Sequence, residues 1–446
     1  MTSKFDNYFN NKILNRYKNL FANNKNANIS TEHKYSFNNR INLSDITAYI
    51  IDPIGSTDAD DAFFINNENI LGIVIADPTH YFDINNEIFN VALRNVVTFY
   101  PSKNEPLHLM PKEVLEKASL LPINDVETKK GIVLLCDIGE DNLLYNPNII
   151  FANIGVSKEK SFSYETASSL IGIDDTITKG VNIGKALKLK RTLGKESISD
   201  LNLSNPVLKN GKMELVVDDI NIRLCKEMIA EFAIYFNSYV GKILTDYYKE
   251  AIFRTFNHNI IQTNSKDILR EIIDTGKSAE YSSKVKKHSL VNVDSYTHFT
   301  SPLRRVSDLI AHYLLKSMVL NESIPIKEED LKNYALDITK KNKQLKKIYY
   351  DDNKLRCLEA INNIIERNEK VNIKMRFISY TGLFINLMIE NVNSNDVSIS
   401  ISFLVRNFTK VDRLKDDLLE IEITEIGELT GFDSDIFPEI YNYLIS

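Results

Sequence analysis

The alternation of apolar and polar residues predicts β-structure near the start of the chain. Ile46–Ile51 forms a short apolar strand that runs into a turn containing Pro and Gly. Ala62–Ile65 is expected to pair with Ile70–Ile75 through a polar turn at 66–69. Short β-branched runs bounded by Asn and Gly are typical of hairpins. The acidic residues between the first two strands should therefore lie where a sheet ends.

From about residue 160 to residue 320 the pattern is mainly helical. Ile222–Leu244 and Leu303–Leu320 both carry apolar residues at three- and four-residue spacing, which predicts amphipathic helices. A charged helix rich in Lys and Asp is predicted over residues 330–368. The middle of the chain should therefore pack helices around the sheet.

The last section returns to alternating β-type segments. They are Val371–Ile378, Leu383–Ile389, Val397–Leu404 and Leu418–Ile423. Short strands with Gly and Asn turns predict a small barrel of the OB type. The predicted fold is thus α+β, with an Asn/Lys-rich arm at 1–40, a catalytic domain of mixed sheet and helices at 41–368, and the barrel at 369–446.

Composition fits an ordinary globular protein of two or three domains, since 43% of the 446 residues are hydrophobic and 26% are charged. No apolar run is long enough to cross a membrane, and the N-terminus lacks the apolar core of a secretory signal. These features predict a cytoplasmic protein. Because the N-terminus is rich in Lys and Arg, an organellar transit peptide is the alternative to a solvated arm.

The three cysteines, Cys136, Cys225 and Cys357, are far apart and have no histidine at metal-ligand spacing. This argues against both a disulfide framework and a structural zinc site, and predicts buried thiols. The net charge of −6 gives no support for a nucleic-acid partner. Any RNA contact must use local basic stretches, which on their own are more often solvated faces. They occupy residues 185–195, 284–287 and 340–347.

Candidate chemistry is concentrated in four acidic residues, Asp52, Asp58, Asp60 and Asp61, separated by Pro53 and Gly55. If the turn gathers them, two carboxylates about 4 Å apart repel by about 4 kcal/mol at an effective dielectric of about 20. Protons or cations must then neutralise them, and oxygen ligands favour Mg²⁺ or Mn²⁺ over Zn²⁺. Two such ions could hydrolyse a phosphodiester.

These residues alone leave other interpretations open. An acidic loop after a strand is often a calcium-binding turn or solvated surface. An EF-hand is disfavoured because the Glu at the twelfth loop position is missing and the flanking segments resemble strands.

A second candidate feature is Thr300-Ser301-Pro302, which predicts the start of the helix Leu303–Leu320. Arg304 and Arg305 would then lie in its first turn, where arginine adds to the positive end of the helix dipole and favours a phosphate. The alternative is an ion pair with a nearby acid. His312 follows Asp308 at a spacing that permits a metal pair, although a hydrogen-bonded core histidine is favoured.

Three motifs together resemble one known family. The runs IDPIGSTDADDAFFI, IVIADPTHYF and YTHFTSPLRRVSDLIAHYLL occur in the order found in the RNB catalytic domain of the ribonuclease II and ribonuclease R family. The similarity covers about residues 40–320, and the remainder more weakly. It implies that the four aspartates bind Mg²⁺ and that Asp61 and Arg304 act in catalysis. Arg304 would contact the scissile phosphate, and Arg305 would support it.

The resemblance extends to further RNA contacts. Tyr100, in LRNVVTFYP, resembles the tyrosine that stacks on the 3′-terminal base, with a core position as the alternative. Glu227 resembles a glutamate near the terminal ribose, and Glu231 is a competing choice. Arg191 and Arg254 are candidate phosphate contacts. In the C-terminal barrel, the aromatic residues of RFISYTGLFINL could stack on bases or fill the core.

The resemblance implies an exoribonuclease that degrades single-stranded RNA from the 3′ end to nucleoside 5′-monophosphates with two Mg²⁺ ions, Mn²⁺ being a substitute, and the chain is expected to be a monomer. Two alternatives remain: an inactive RNA-binding scaffold of the same fold, and a metal-dependent DNA nuclease or phosphatase. Bacterial members carry two cold-shock-type barrels before the catalytic domain, whereas about forty unpatterned residues precede it here. The run DDNKLRCLEAI fits poorly to the family's helix before the C-terminal barrel.

Overall fold

The computed structural model describes residues 3–22, 29–367, 369–405 and 418–446. Its strands are β1 Ile41–Asp52, β2 Asp61–Ile65, β3 Ile70–Ala76, β4 Val126–Ile138, β5 Leu144–Ser163, β6 Asn205–Lys209, β7 Lys212–Val216, β8 Phe253–Thr255, β9 Glu280–Ser282, β10 Val371–Tyr380, β11 Phe384–Val392, β12 Asn395–Leu404 and β13 Leu419–Ile423. The fold is α+β, as predicted.

The helices are distributed among these strands along the chain. They are α1 Lys4–Tyr8, α2 Asn15–Lys18, α3 Glu87–Asn95, α4 Lys112–Ala118, α5 Tyr164–Ser169, α6 Asp175–Thr192, α7 Ile220–Tyr247, α8 Ser265–Thr275, α9 Val306–Val319 and α10 Glu328–Glu366, followed by Asp433–Ile436 and Pro438–Ile445. A π-helical stretch, Phe9–Leu14, makes α1 and α2 continuous, so residues 4–18 of the predicted arm are helical.

Strands β1 to β5 form a closed barrel. Successive strands pair antiparallel, and β1 closes the barrel by pairing parallel with β5. The closing seam contains Gly155, where a Cβ would lie 2.6 Å from the Ser44 carbonyl oxygen. Glycine is therefore required for the close approach of these two strands. The three strands predicted in this region all fall within β1, β2 and β3, which confirms them.

The predicted helix Ile222–Leu244 is confirmed within α7, whereas the region around it also contains the short strands β6 to β9, and the predicted start of α9 is wrong. The helix begins at Val306, and Arg305 precedes it with an extended backbone (φ −139°, ψ 128°). The Ser301 N–H donates to Asp308 Oδ1 (2.8 Å), and the Arg305 N–H donates to the Ser301 carbonyl (3.0 Å). These bonds close a tight turn before the helix, so Arg304 and Arg305 lie outside its first turn.

The 39-residue α10 leads from the barrel domain to the C-terminal sheet. In that sheet the strand order is β12-β11-β10-β13, all neighbours pairing antiparallel. The predicted C-terminal β-segments coincide with these strands, and the region fits an OB-type domain. Among the described residues, however, the sheet that closes into a barrel is formed by β1 to β5, and it carries the four aspartates.

Two hydrophobic cores organise the molecule. One fills the barrel and the helices around it, whereas the other joins the C-terminal half of α10 to the C-terminal sheet. The N-terminal helix contributes to the second core through Phe5, Phe9, Ile13 and Tyr17, each at most 3% exposed.

Within the described ranges, no helix is both long enough and apolar enough to span a bilayer. The three cysteines are free and buried, as predicted.

Candidate active site

The four aspartates lie at one end of the barrel because β1 and β2 pair antiparallel with Tyr49 opposite Phe63. Asp52 is the last residue of β1, and Asp61 is the first of β2. The connecting turn is closed by the Ser56 N–H, which donates to the Pro53 carbonyl (3.1 Å). It contains Gly55 at φ +80°, a conformation that favours glycine.

All four carboxylates line one cavity of about 770 Å³. Arg304, Tyr100 and Tyr164 also line it, and residues 101–106 form part of its wall. The structure thus brings together the predicted metal ligands, the predicted catalytic arginine and the predicted stacking tyrosine. The first and the third of the sequence motifs therefore meet here although they are far apart along the chain.

Asp60 fixes the position of Arg304. Its Oδ2 accepts a hydrogen bond from Arg304 Nε (2.9 Å), and its Oδ1 accepts one from the Leu303 N–H (2.8 Å). Arg304 Nη2 donates to the Ser301 hydroxyl (3.0 Å), yet 44% of the arginine side chain stays exposed. The ion pair that the sequence left as an alternative is therefore present, and it leaves part of the guanidinium free to meet an anion in the cavity.

Asp58 connects the acidic turn to Tyr100. The Tyr100 hydroxyl donates to Asp58 Oδ2 (3.2 Å), and the Thr57 hydroxyl donates to Oδ1 (3.2 Å). The Tyr100 ring is 37% exposed, so it is not a core residue. Its position at the cavity rim allows a planar group to stack on it.

The cavity carries more negative charge than its own arginine neutralises. Burial, followed by repulsion from Asp61 and Asp60, raises the pKa of Asp52 to about 8. Burial also raises the pKa of Asp60 to about 7, although Arg304 opposes this. In the same way burial raises the pKa of Asp61 to about 6 against the opposing charges of Arg304 and Arg305. The site therefore favours the uptake of protons or cations.

The donor set fits a hard divalent cation. No three His, Cys, Asp or Glu side chains of the described residues stand close enough together to hold an ion by themselves. Magnesium does not require such a cage, since it keeps several waters and is usually bound by one or two carboxylates together with substrate phosphates. Carboxylate oxygens without thiolate or imidazole also disfavour zinc. RNB-family nucleases are generally dependent on divalent metals.

Arg305 lies next to this cavity but does not line it. Its Nη2 donates to the Ser301 hydroxyl (2.6 Å), and its Nε lies 3.2 Å from Asp308 Oδ2. His312 is fully buried with Nε2 3.0 Å from the Phe299 carbonyl oxygen, which confirms a core histidine.

The predicted RNA contacts Arg191, Glu227 and Arg254 do not line the acidic cavity. Arg191 Nε donates to Glu231 (2.9 Å), so the glutamate that competed with Glu227 is already paired. Glu227 itself accepts a hydrogen bond from Lys188 and does not line the acidic cavity. Arg254 stacks on the Tyr281 ring at 4.6 Å. The RNA-binding roles of Arg191, Glu227 and Arg254 stay predictions.

Sequence reasoning missed Tyr164 and the wall at 101–106. Tyr164 follows the last barrel strand, and Asp52 pairs with Ser163 across the parallel seam. Burial, and then the charges of Asp61 and Asp52, raise the pKa of Tyr164. No local pattern indicates this neighbour, because only closure of the barrel brings it to the aspartates.

Comparison with known proteins now assigns a family. A family model described as the RNB domain matches residues 40–321, which is more than half of the chain. The chain belongs to the RNB exoribonuclease family. The resemblance carried by the three motifs is thereby confirmed.

Among curated proteins, the chain is similar to exoribonuclease 2 of Proteus mirabilis. The two are 23% identical over 346 residues, an alignment that covers 65% of this chain and 52% of the relative. The chain therefore spans about half the length of that relative.

Solved structures show the same fold. Ribonuclease R of Mycoplasma genitalium, in complex with ribose-methylated single-stranded RNA, superimposes with a TM-score of 0.67 at 17% identity, covering 89% of this chain and 67% of that one. Yeast Ssd1, described as a pseudonuclease, superimposes with a TM-score of 0.64 at 17% identity, covering 90% and 57%. The fold therefore occurs with and without nuclease activity, and function has to be argued from the site.

Proposed function

We propose that this protein is a 3′-to-5′ exoribonuclease that hydrolyses single-stranded RNA to nucleoside 5′-monophosphates. The observation that carries the proposal is the cavity in which Asp52, Asp58, Asp60 and Asp61 meet Arg304. None of the four aspartates is replaced. The RNB family assignment supports the reaction class. The buried free thiols suit a reducing compartment such as the cytoplasm, where we propose that the protein acts as a monomer.

The four aspartates would hold two Mg²⁺ ions, for which Mn²⁺ could substitute. When bound, such ions activate water for attack and stabilise the departing 3′ oxygen. Asp61 would act as a metal ligand, so its loss should stop the chemistry. Because Asp60 already engages Arg304, the same carboxylate would also keep the arginine directed at the scissile phosphate.

Arg304 would neutralise charge that develops on the phosphate in the transition state. Tyr100 would stack on the 3′-terminal base. Because an aromatic ring can stack on any base, this contact implies little sequence preference. Arg305 would steady this region through Ser301. Glu227 and Arg191 are further proposed contacts to the RNA, with a ribose 2′-hydroxyl as the partner of Glu227.

A second candidate function is an RNA-binding scaffold without catalysis. Its support is the structural likeness to a pseudonuclease, together with the absence of a preassembled three-ligand site among the described side chains. The complete set of aspartates favours the enzyme. Only an activity measurement separates the two.

The deciding experiment incubates the protein with 5′-labelled single-stranded RNA or DNA of matched sequence, in Mg²⁺ or in chelator. We expect a ladder of shortened products from RNA in Mg²⁺ alone. Asp61→Asn should remove shortening and leave RNA binding largely intact, because it disturbs the metal and not the RNA groove. Asp45→Asn, an exposed position of the same strand β1, is the matched control and should behave as the wild type.

Each outcome discriminates between the candidates. A wild-type protein that binds RNA but never shortens it in Mg²⁺ or Mn²⁺ is a scaffold. Equal degradation of DNA would indicate the DNA nuclease instead. Unchanged cleavage by Asp61→Asn would refute the metal role of that aspartate.

A further inference from the structure

The wall segment, residues 101–106, follows Tyr100 directly and lines the cavity without regular secondary structure. Backbone hydrogen bonds between Phe99 and Leu107 close this loop at its base, and side-chain contacts hold the segment between them. The first of these comes from α10, where the Tyr349 hydroxyl accepts a hydrogen bond from the Tyr100 N–H (3.1 Å) and donates to the Thr98 carbonyl (3.2 Å). Tyr349 thus links the backbone at Thr98 and Tyr100 to α10, directly before the wall segment.

Ser102 provides the second attachment of the wall segment to α10. Its N–H donates to Asp352 Oδ2 (3.0 Å), and its hydroxyl donates to Oδ1 of the same carboxylate (2.8 Å). The Ser102 oxygen also accepts a hydrogen bond from Arg356 Nε (2.7 Å). Arg356 is only 1% exposed, so this charge-assisted bond is formed away from bulk water.

The side chains of Lys103 and Arg356 both donate to Asp6. Lys103 Nζ donates to Asp6 Oδ1 (3.2 Å) and to Glu359 Oε1 (2.6 Å). Arg356 Nη1 donates to the same Asp6 oxygen (3.2 Å) and to Glu359 Oε2 (2.8 Å). Asp6 therefore neutralises a lysine of the wall segment and the arginine that holds Ser102. Glu359 remains an acceptor for both cations when Asp6 is removed, so the loss of Asp6 should loosen the network without abolishing it.

Asp6 belongs to α1, which precedes the residues matched by the RNB model. The helix is held in place by Phe5 and Phe9, which are buried in the second core. The Arg356 guanidinium also lies over the Phe9 ring at 4.9 Å. An element outside the family-defining region thus contributes a charged group to the support of the cavity wall.

We propose that Asp6 is a positioning residue for RNA, which acts through Lys103 and Arg356 to hold the wall segment and the Tyr100 ring in the place where the 3′-terminal base stacks. This role rests on the proposed function. Asp6 does not line the cavity, so it influences binding only through the network. A displacement of about 1 Å in a positioning group can reduce activity by up to about 100-fold, which makes such support measurable.

The test measures stacking without cleavage. An RNA with 2-aminopurine as its 3′-terminal base is titrated with protein in the Asp61→Asn background, and fluorescence quenching reports contact of that base with Tyr100. Adding Asp6→Ala should weaken quenching-detected binding roughly tenfold, within the range that misplacement produces. Adding Tyr100→Ala should abolish the quenching.

Arg16→Ala is the matched control. Arg16 pairs with Asp351 (2.6 Å), so it also joins the N-terminal helix to α10, but it does not contact the wall segment. It should leave quenching unchanged. If Arg16→Ala and Asp6→Ala weaken quenching equally, Asp6 only docks the helix and the proposal fails. It also fails if Asp6→Ala leaves quenching unchanged.

Two further measurements test the proposal if Asp6→Ala does not fold or if the protein is active. Ser102→Ala breaks the network from the side of the wall with the N-terminal helix intact. Ser102→Ala should weaken quenching as Asp6→Ala does, even if the Asp6→Ala protein does not fold. Normal quenching in Ser102→Ala would overturn the proposal. In the active protein, Asp6→Ala should change the shortest RNA product, and adding it to Tyr100→Ala should cause no further change. A wild-type protein that does not degrade RNA would refute the proposed function. The quenching assay would still test the role of Asp6, because it does not depend on cleavage.

Discussion

Asp60 performs two tasks with one carboxylate. One oxygen binds Arg304 and the other accepts the Leu303 N–H, so the acidic turn and the segment before α9 hold each other in place. Among the described salt bridges, Asp60 is the only one of the four aspartates that pairs with a protein cation, and Asp58 accepts only hydroxyl groups in its described hydrogen bonds. Asp60 thus joins the residues that would bind metal to the residue that would meet phosphate.

The raised pKa values predict how metal binding depends on pH. Carboxyl groups with pKa values of about 8, 7 and 6 at Asp52, Asp60 and Asp61 hold protons that a divalent cation must displace. We therefore expect the Mg²⁺ concentration for half-maximal RNA shortening to fall as pH rises from 6 to 8, by up to about tenfold per pH unit for each proton displaced. Magnesium titrations at fixed RNA concentration check this, and a requirement that stays constant or rises with pH would contradict it.

The same groups make the metal-free protein less stable at higher pH. Their pKa values in the folded state exceed the unfolded value of about 4, so the folded protein binds more protons than the unfolded chain between about pH 4 and pH 8. The free energy of unfolding contributed by these groups should therefore fall as pH rises through this range. Thermal unfolding in chelator should show the loss, and Mg²⁺ should reverse it.

Tyr100 offers a prediction that separates stacking from hydrogen bonding. Tyr100→Phe keeps the ring and loses the bond to Asp58, whereas Tyr100→Ala loses both. Because stacking is worth about 1–3 kcal/mol per base, only the alanine variant should shift the length of the shortest RNA product. Denaturing gels of complete digests measure this length. The same product from Tyr100→Ala and wild type would remove Tyr100 from the site.

At the level of residues, the sequence predicted the gathering of the aspartates better than the pairing of other side chains. The spacing of the aspartates indicated their convergence, and the structure places all four on one cavity. It could not indicate that Arg191 would bind Glu231, because those side chains meet only when α6 and α7 pack together. Long-range ion pairs have no local sequence signal.

Among the secondary structure elements, a buried ion cluster ties the barrel to α9. Asp77, which follows β3, binds Arg40 before β1 and Lys316 on α9 (2.8 Å for the lysine). Both the Asp77 and the Lys316 side chains are 0% exposed. Burial alone would raise the pKa of Asp77, but Lys316 and Arg40 outweigh it and hold that pKa well below its ordinary value.

Breaking this cluster should destabilise the barrel domain. Asp77→Asn leaves two buried cations without their anion, which typically costs about 3–5 kcal/mol. Urea unfolding at neutral pH measures the loss. Asp125→Asn is the control, because its pair with Lys158 is exposed (95% for the aspartate side chain) and should matter far less. Comparable losses in both variants would contradict the role assigned to Asp77.

The sign of the pH effect follows from the depressed pKa. Stabilisation by Asp77 is fully present above the unfolded pKa of about 4 and is lost as pH falls below it. Stability of Asp77→Asn should therefore vary less with pH in the acidic range than that of the wild type.

The sequence predicted elements well where packing follows a local period. Ile222–Leu244 lies within α7, and the predicted β-segments at both ends of the chain overlap strands β1 to β3 and β10 to β13. The start of α9 was misplaced because Ser301-Pro302 has the composition of a helix cap. In the structure the Ser301 N–H is instead taken by the Asp308 side chain, seven residues further on, which closes a turn and delays the helix to Val306.

In the molecule as a whole, the second core unites segments from both ends of the chain. Phe9, near the N-terminus, is 1% exposed and packs in the same cluster as residues of β10 to β13. The N-terminal helix is therefore part of the C-terminal domain in energetic terms, although the two are far apart in sequence.

This arrangement predicts a remote effect of one substitution. Phe9→Ala should lower the free energy of unfolding by about 3–5 kcal/mol, as large-to-small changes in cores do. Hydrogen exchange should rise in β10 to β12 and not in β1 to β5. Phe432→Ala, at a position 62% exposed, is the control and should change stability by less than about 0.5 kcal/mol. Faster exchange confined to the N-terminal helix would show that the helix is not coupled to the sheet.

Whole-molecule topology was the least predictable level. A small barrel was expected at the C-terminus, and that region fits an OB-type domain. The closed barrel around the aspartates was not foreseen, because it depends on the parallel pairing of β1 with β5. Local periodicity predicts a strand and which of its faces is buried, but not a distant partner.

The pairing of β1 with β5 also constrains the order in which the parts of the barrel can fold. Asp52 lies opposite Ser163 there, so one wall of the acidic cavity is completed only when the final barrel strand docks. Contacts between such distant segments form late, because the intervening chain must first be gathered at an entropic cost. During synthesis, the aspartates leave the ribosome well before β5, and the newly made chain cannot complete the acidic cavity until residue 163 has emerged.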